Sequence, residues 1–151
     1  MNVANLQIRQ AVVRDLETLV PLFDAYRQFY RQTSDQAGAR EFLRARFEHG
    51  QSVSFLAFVD GVAVGFMQLY PSFSSASMAR IFVLNDLFVS PEGRRCGVGT
   101  ALLSAAADYG RLVGAIRLSL STELTNQTAQ ALYEGVGWQR DTVFCGYQLT
   151  L

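Results

Sequence analysis

Cysteine, histidine and net charge are all scarce in this 151-residue sequence. Its two cysteines stand far apart, which excludes a disulfide framework. Its single histidine, His49, precedes Gly50 at an expected helix end and reads as a polar terminal residue rather than a catalytic base. With no histidine near it in sequence, Cys96 reads as a loop residue and not a nucleophile, and Cys145 is expected to be buried in the last strand. Lys and Arg number 13 against 13 Asp and Glu, so the formal net charge is zero and the basic imbalance of a nucleic-acid binder is missing. No apolar run reaches the length of a membrane span. The first five residues show no basic region followed by an apolar core, so no secretory signal is expected, and a reducing cytoplasmic setting is the default.

What is present is an ordinary globular composition, 50% hydrophobic and 17% charged, in a chain long enough to bury a core as one domain. Residues 6–11 alternate like a strand. Asp15 is placed to cap a helix whose apolar face is Leu16, Leu19, Val20 and Phe23, with Pro21 inside it. A polar loop leads to a second helix over 37–49, turning Phe42, Leu43 and Phe47 inward. Strands over 53–59 and 62–70 flank Asp60-Gly61, a tight-hairpin signal. A serine-rich stretch over 71–77 is expected as a loop. A strand over 80–89, a helix over 97–113, a strand over 115–121, a short helix and two short strands ending over 143–151 complete the chain. That order makes a mixed sheet with helices on both faces.

The densest signal lies over residues 86–103, where an apolar strand stops at Ser90-Pro91, a basic loop carries Arg94 and Arg95, and Gly97-Val98-Gly99 opens a helix. Glycines let backbone approach a ligand closely. The unpaired N–H groups and the dipole of a helix start favour an anion. The turn is neither a P-loop, because Gly99 is followed by Thr100 rather than Lys, nor a dinucleotide fingerprint, because Leu102 stands where its third glycine belongs. The remaining pattern, Arg94-x-x-Gly97-x-Gly99, resembles the pyrophosphate loop of the GNAT superfamily, the acyl-CoA-dependent N-acyltransferases. Downstream, Asn126-Gln-Thr-Ala129-Gln-Ala-Leu132-Tyr133-Glu-Gly-Val-Gly137-Trp138 is similar to the family's other signature, with one helix and one strand between the two. On both motifs in that order the chain is identified as a member. Residues 84–89 bring it closest to the polyamine and histone-type branch.

The resemblance implies a GNAT fold over 1–151: a twisted mixed sheet of about seven strands, helices on both faces, and a V-shaped splay between the fourth and fifth strands that receives the acyl-pantetheine arm. It implies acetyl-CoA as co-substrate and no metal. Backbone groups of Leu87, Phe88 and Val89 would hold the pantetheine. Arg94, Arg95, Cys96, Gly97, Val98, Gly99 and Thr100 would surround the pyrophosphate. Asn126 would contact CoA, and Tyr133 would lie beside its sulfur and protonate the leaving thiolate. Asp86, on the strand entering the loop, is the expected base or amine anchor. Members of the branch often carry Glu-Asp here, but this chain has Asn85, which cannot act as a base. Some members use a glutamate five residues before the asparagine, a place held here by Ser121, with Glu123 two residues displaced. Proton removal is therefore expected at Asp86, a water or Glu123. Tyr26, Tyr30 and Asp35 fall where the family roofs its acceptor site, and aromatics with acids suit a cationic amine. Phe29 reads as a core residue. The expected activity is acetyl transfer to a primary amine of a small molecule, polyamine or lysine side chain. Asn85 and Ser121 leave open an acyl-CoA-binding sensor with little turnover. No nucleic-acid or membrane partner is expected. A C-terminal strand alternating Val143, Cys145, Tyr147 and Leu149 is expected to pair across a homodimer.

Overall fold

The structure, a computed structural model, describes residues 5–151. The chain divides into two compact units, one ending at Ser121 and one over Thr122–Leu151. The first unit runs β1 (Leu6–Gln10), α1 (Leu16–Phe29), α2 (Gln36–Glu48), β2 (Val53–Val59), β3 (Val62–Ser74), β4 (Ala79–Val89), α3 (Val98–Leu112) and β5 (Leu118–Ser119). The second holds α4 (Gln127–Gly135).

The strands form one sheet in the order β1-β2-β3-β4-β5, antiparallel except for the parallel pair β4–β5. Asp60 and Gly61 make the β2–β3 turn with φ of +50° and +81°, the two left-handed positions that let a two-residue turn follow the twist of its strands. Adjacent strand residues point to opposite faces. Leu56 and Phe66 therefore join Leu19 of α1 and Leu43 of α2 in a core on one face. Phe55 and Phe82 meet Tyr109 of α3 edge-on, at ring distances of 5.7 and 5.6 Å.

Several expectations are corrected. β3 runs on through Pro71 to Ser74, where a loop was expected, and Phe73 pairs with Arg80 of β4. The Arg80 guanidinium lies 4.5 Å over the Phe73 ring, a cation–π contact that supports the end of the hairpin. Asp15 does not cap α1. Its carboxylate turns back to accept from Arg9 Nη1, Arg9 Nη2 and the Val12 N–H, each at 2.8 Å. That pairing, offset in part by burial, holds its pKa down to about 2. In α2 the buried residues are Ala39 and Leu43, one turn apart; Phe42 sits at the edge, stacked on Phe23 at 5.6 Å. Phe29 is exposed rather than core.

Among the described residues the sheet has five strands, where about seven were expected. Residues 139–151 form neither helix nor strand; Val143, Tyr147 and Leu149 are exposed, and Cys145 is exposed rather than buried. Alternation permits a strand, but a strand also needs a neighbour to take its backbone hydrogen bonds, and its own unit holds no strand among the described residues. No described helix is long and apolar enough to cross a membrane.

Candidate active site

β3 and β4 pair Gln68 with Asp86 and then Leu69 with Leu84, so Asn85 is the extra residue of a bulge. Asn85 is exposed, and its carbonyl accepts a hydrogen bond from the Tyr26 hydroxyl at 3.1 Å. Asp86, only 2% exposed, accepts from Asn85 Nδ2 at 2.8 Å and from Gln68 Nε2. The same Gln68 nitrogen donates to the Tyr70 hydroxyl at 3.1 Å. No described Lys, Arg or His forms an ion pair with Asp86. Burial raises the pKa of Asp86 above the usual carboxylate range, while hydrogen bonds from Asn85, Gln68 and Tyr26 pull the other way. Burial, and after it the charge of Asp86, pushes Tyr70 up to about 12 and raises Tyr26 as well. Both phenols stay protonated. A buried carboxylate with raised proton affinity and no cation partner is chemically suited to take a proton from an ammonium group or to pair with one.

α1 brings aromatic rings to this acid. Tyr26 packs edge-on against Tyr30 at 5.0 Å and against Phe66 at 5.8 Å. Tyr26, Tyr30 and Asp86 thus come together. Asp35 is engaged elsewhere, and its carboxylate caps α2 by accepting the Gly38 N–H at 2.9 Å. Its own N–H donates to buried Asp24 at 2.8 Å, and Asp24 also accepts from Ser34 Oγ at 2.7 Å, which organises the α1–α2 connection.

Past Val89 the chain enters the basic loop. The Ser90 N–H is held by the Val64 carbonyl at 2.7 Å, and a 3-10 turn over Pro91–Gly93 follows. Arg94 Nε donates to the Val89 carbonyl at 3.4 Å, and the Cys96 thiol donates to the Arg94 carbonyl at 3.6 Å. Arg95 and Gly97 take φ of +63° and +74°, and α3 begins at Val98 with no side chain capping its N-terminus. Uncapped first-turn amides beside Arg94 and Arg95 suit a phosphate. On its far side β4 pairs with β5 only at Phe82 with Leu118 and Val83 with Ser119, so residues 84–89 have no strand partner there among the described residues. That is the splay expected between the fourth and fifth strands.

In the second unit the asparagine–tyrosine signature forms one capped helix. Asn126 Oδ1 accepts the Ala129 N–H at 3.2 Å and caps α4. At the other end the Trp138 N–H reaches the Tyr133 carbonyl at 3.0 Å and the Gly137 N–H reaches the Glu134 carbonyl at 3.2 Å. Gly137 has φ of +98°, and the Tyr133 and Trp138 rings lie 6.1 Å apart. This is a Schellman ending with its hydrophobic contact, which explains why Gly137 and Trp138 follow the tyrosine.

Sequence reasoning missed Gln68, Tyr70 and Gly65. A signal existed for two of them: one amide within the apolar run Phe66-Met67-Gln68-Leu69, and a glycine inside a strand.

Comparison with known proteins agrees with the family resemblance. Residues 19–138 match the Acetyltransferase (GNAT) family. The chain is 51% identical over 146 residues to the uncharacterized N-acetyltransferase YhfO of Bacillus subtilis (strain 168), covering 97% of this chain and 98% of that one. It is 25% identical over 134 residues to the thialysine N-epsilon-acetyltransferase of Caenorhabditis elegans, covering 89% and 83%. The crystal structure of a probable acetyltransferase superposes with a TM-score of 0.91 at 41% identity, covering 96% and 97%. With the loop and the capped helix in the expected order, the chain belongs to the GNAT family of N-acetyltransferases.

Proposed function

We propose that the protein transfers an acetyl group from acetyl-CoA to a primary amine of a small molecule, polyamine or lysine side chain, by direct attack in a ternary complex. The observation that carries this reading is Asp86: a buried acid without a cation partner among the described residues, on the strand that leads into an anion-ready helix start. The open donors fit a CoA pyrophosphate. Amides from Arg95 to Thr100 would hold the phosphates with Arg94 and Arg95, and backbone groups of Leu87 to Val89 would hold the pantetheine. When bound, acetyl-CoA supplies the activated acyl group. Asp86 draws the ammonium in beneath Tyr26 and Tyr30 and takes its proton, directly or through water. The Tyr133 hydroxyl gives a proton to the departing thiolate. Asn126, already the cap of α4, contacts CoA. The name of the thialysine relative supports a lysine-like amine.

Thiol release from acetyl-CoA with a panel of diamines, lysine, thialysine, aminoglycosides and anionic amines tests the reading. Cationic acceptors should turn over, and Asp86→Asn should lower kcat/KM roughly 10²-fold with acetyl-CoA binding kept. The loss should shrink as pH rises and free amine accumulates. Preference for an anionic acceptor, or an Asp86→Asn enzyme as fast as the parent, refutes the role of Asp86. Acetyl-CoA binding without thiol release for any amine would favour a sensor instead.

A homodimer belongs to the same reading. The alternating apolar residues of 143–151 are exposed and their own unit holds no strand among the described residues, which suits pairing with a second copy. Light scattering that reads the single-chain mass of 16.7 kDa at micromolar concentration overturns it.

A further inference from the structure

We propose that Gln68 is a positioning residue, whose amide fixes the place of the Asp86 carboxylate and its readiness to hold a proton. The inference rests on the reading of Asp86 as base or amine anchor. Gln68 is 0% exposed, between apolar neighbours on β3 and directly opposite Asp86 in register. Burying a primary amide costs free energy unless its groups are hydrogen-bonded, and a methionine of similar length would fill the space without that cost. Both Nε2 hydrogens are committed, one to Asp86 and one to the Tyr70 hydroxyl. The nitrogen rather than the oxygen faces the acid, because a carbonyl oxygen turned toward a carboxylate would repel it. Gln68 Oε1 is then left buried with no partner, one of two such side-chain atoms among the described residues. An unpaired buried acceptor costs about 1–3 kcal/mol. The fold tolerates it while both donors serve the acid and its neighbour.

The groups around Asp86 explain why Gln68 matters most. From β4 itself comes Asn85, which is exposed and donates to Asp86 from the solvent side. From α1 comes the Tyr26 hydroxyl, divided between Asp86 and the Asn85 carbonyl, with Tyr30 beyond it. From β3 come Gln68 and Tyr70. From α2 the Arg46 charge acts on Tyr70, its guanidinium lying 4.3 Å over the Phe42 ring. Gln68 is the donor with no exposure. Hydrogen bonds to the ionised form oppose the effect of burial, so losing this one makes Asp86 hold its proton more tightly.

The test uses the full chain. Carboxyl carbon NMR across pH, with the Asp86 signal assigned by its loss in Asp86→Asn, reads proton binding with no acceptor present. In Gln68→Met the Asp86 midpoint should rise by about tenfold in proton affinity, and in Tyr70→Phe, which frees the other side of the amide, by less. Acetyl-CoA affinity should stay unchanged in both. The acid limb of kcat/KM for the best amine of the panel should move to higher pH with the midpoint. An unmoved midpoint in folded Gln68→Met overturns the proposal; if that variant does not fold, an unmoved midpoint in Tyr70→Phe does so. A midpoint that moves while the acid limb stays in place supports the hold of Gln68 on the carboxylate and overturns Asp86 as the base.

Discussion

Gly65 offers the sharpest test of how the sheet holds the loop. A methyl group added there would sit 2.8 Å from the backbone oxygen of Phe88, 3.3 Å from Val98 Cγ1 and 3.6 Å from Val89 Cα. Ordinary contact begins at 3.4 Å, so the Phe88 backbone must yield by 0.6 Å. It has little room to do so. Gly65 pairs with Val89 in the sheet, the next residue is tied by the Ser90–Val64 hydrogen bond, and Val98 is buried at the start of α3. Overpacking of this kind costs about 1–3 kcal/mol. For a domain of this size, a loss of about 2 kcal/mol lowers Tm by roughly 4–8 °C. The strain falls on both flanks of the basic loop, so acetyl-CoA affinity should drop about tenfold, equivalent to about 1.4 kcal/mol. Differential scanning calorimetry and titration calorimetry with acetyl-CoA read the two effects. Gly110→Ala is the control: its added methyl meets nothing nearer than Leu118 Cδ2 at 3.5 Å, in a helix interior where alanine is favoured by up to about 1 kcal/mol. A Gly65→Ala protein with parental Tm and parental acetyl-CoA affinity would refute the reasoning, as would an equal loss in Gly110→Ala.

Four further outcomes are expected. Gly97→Glu, which places a side chain at φ of +74° and a negative charge beside the loop amides, should weaken acetyl-CoA binding by more than about tenfold, and unchanged titration calorimetry would sink the loop assignment. Tyr133→Phe should slow turnover roughly 10²-fold with acetyl-CoA affinity nearly kept, whereas lost affinity at normal turnover would point to packing alone. Because Arg9 depresses the pKa of Asp15 to about 2, their pair contributes stability that is present above the unfolded value of about 3.9 and is lost as pH falls toward 2. Allowing for solvent around half-exposed Arg9, that contribution is about 1–2 kcal/mol, so Asp15→Asn should lower Tm at pH 7 and converge with the parent below about pH 2. The pKa of Asp86 is shifted the opposite way, so the folded state binds its proton more tightly than the unfolded chain, and stability falls as pH rises above the unfolded value of about 3.9 and through the raised folded one. Asp86→Asn should therefore raise Tm at pH 7 while slowing turnover, with the gain shrinking in acid; a destabilised variant at pH 7 contradicts this.

The features legible from sequence are those whose hydrogen bonds close over a few residues. Asp60-Gly61 specifies its turn through two left-handed backbone positions, and Val59 and Val62 pair on either side of it. Asn126 caps the helix it starts, and Tyr133, Gly137 and Trp138 close its end within six residues. Strand, glycine turn and helix start follow one another through Val89, Gly97 and Val98, so the loop was visible as a string. Tertiary structure decided what depends on residues distant in sequence. Asp86 was recognisable as an acid at the end of a strand, but its burial, and its dependence on Gln68, come from strand register and from the bulge at Asn85. Asp15 was expected to cap a helix and Asp35 to roof the acceptor site; instead Asp15 turns back to Arg9 and Asp35 caps α2, a choice among nearby partners that is made only when the packed backbone sets the direction of each carboxylate. Phe29 looked like core and lies exposed, since which side of its last turn α1 buries is set by the helix packed against it. The apolar alternation of 143–151 marked a strand, but its own unit offers no described strand to pair with it. Local backbone chemistry is written residue by residue, whereas burial, register and strand pairing depend on which surfaces meet.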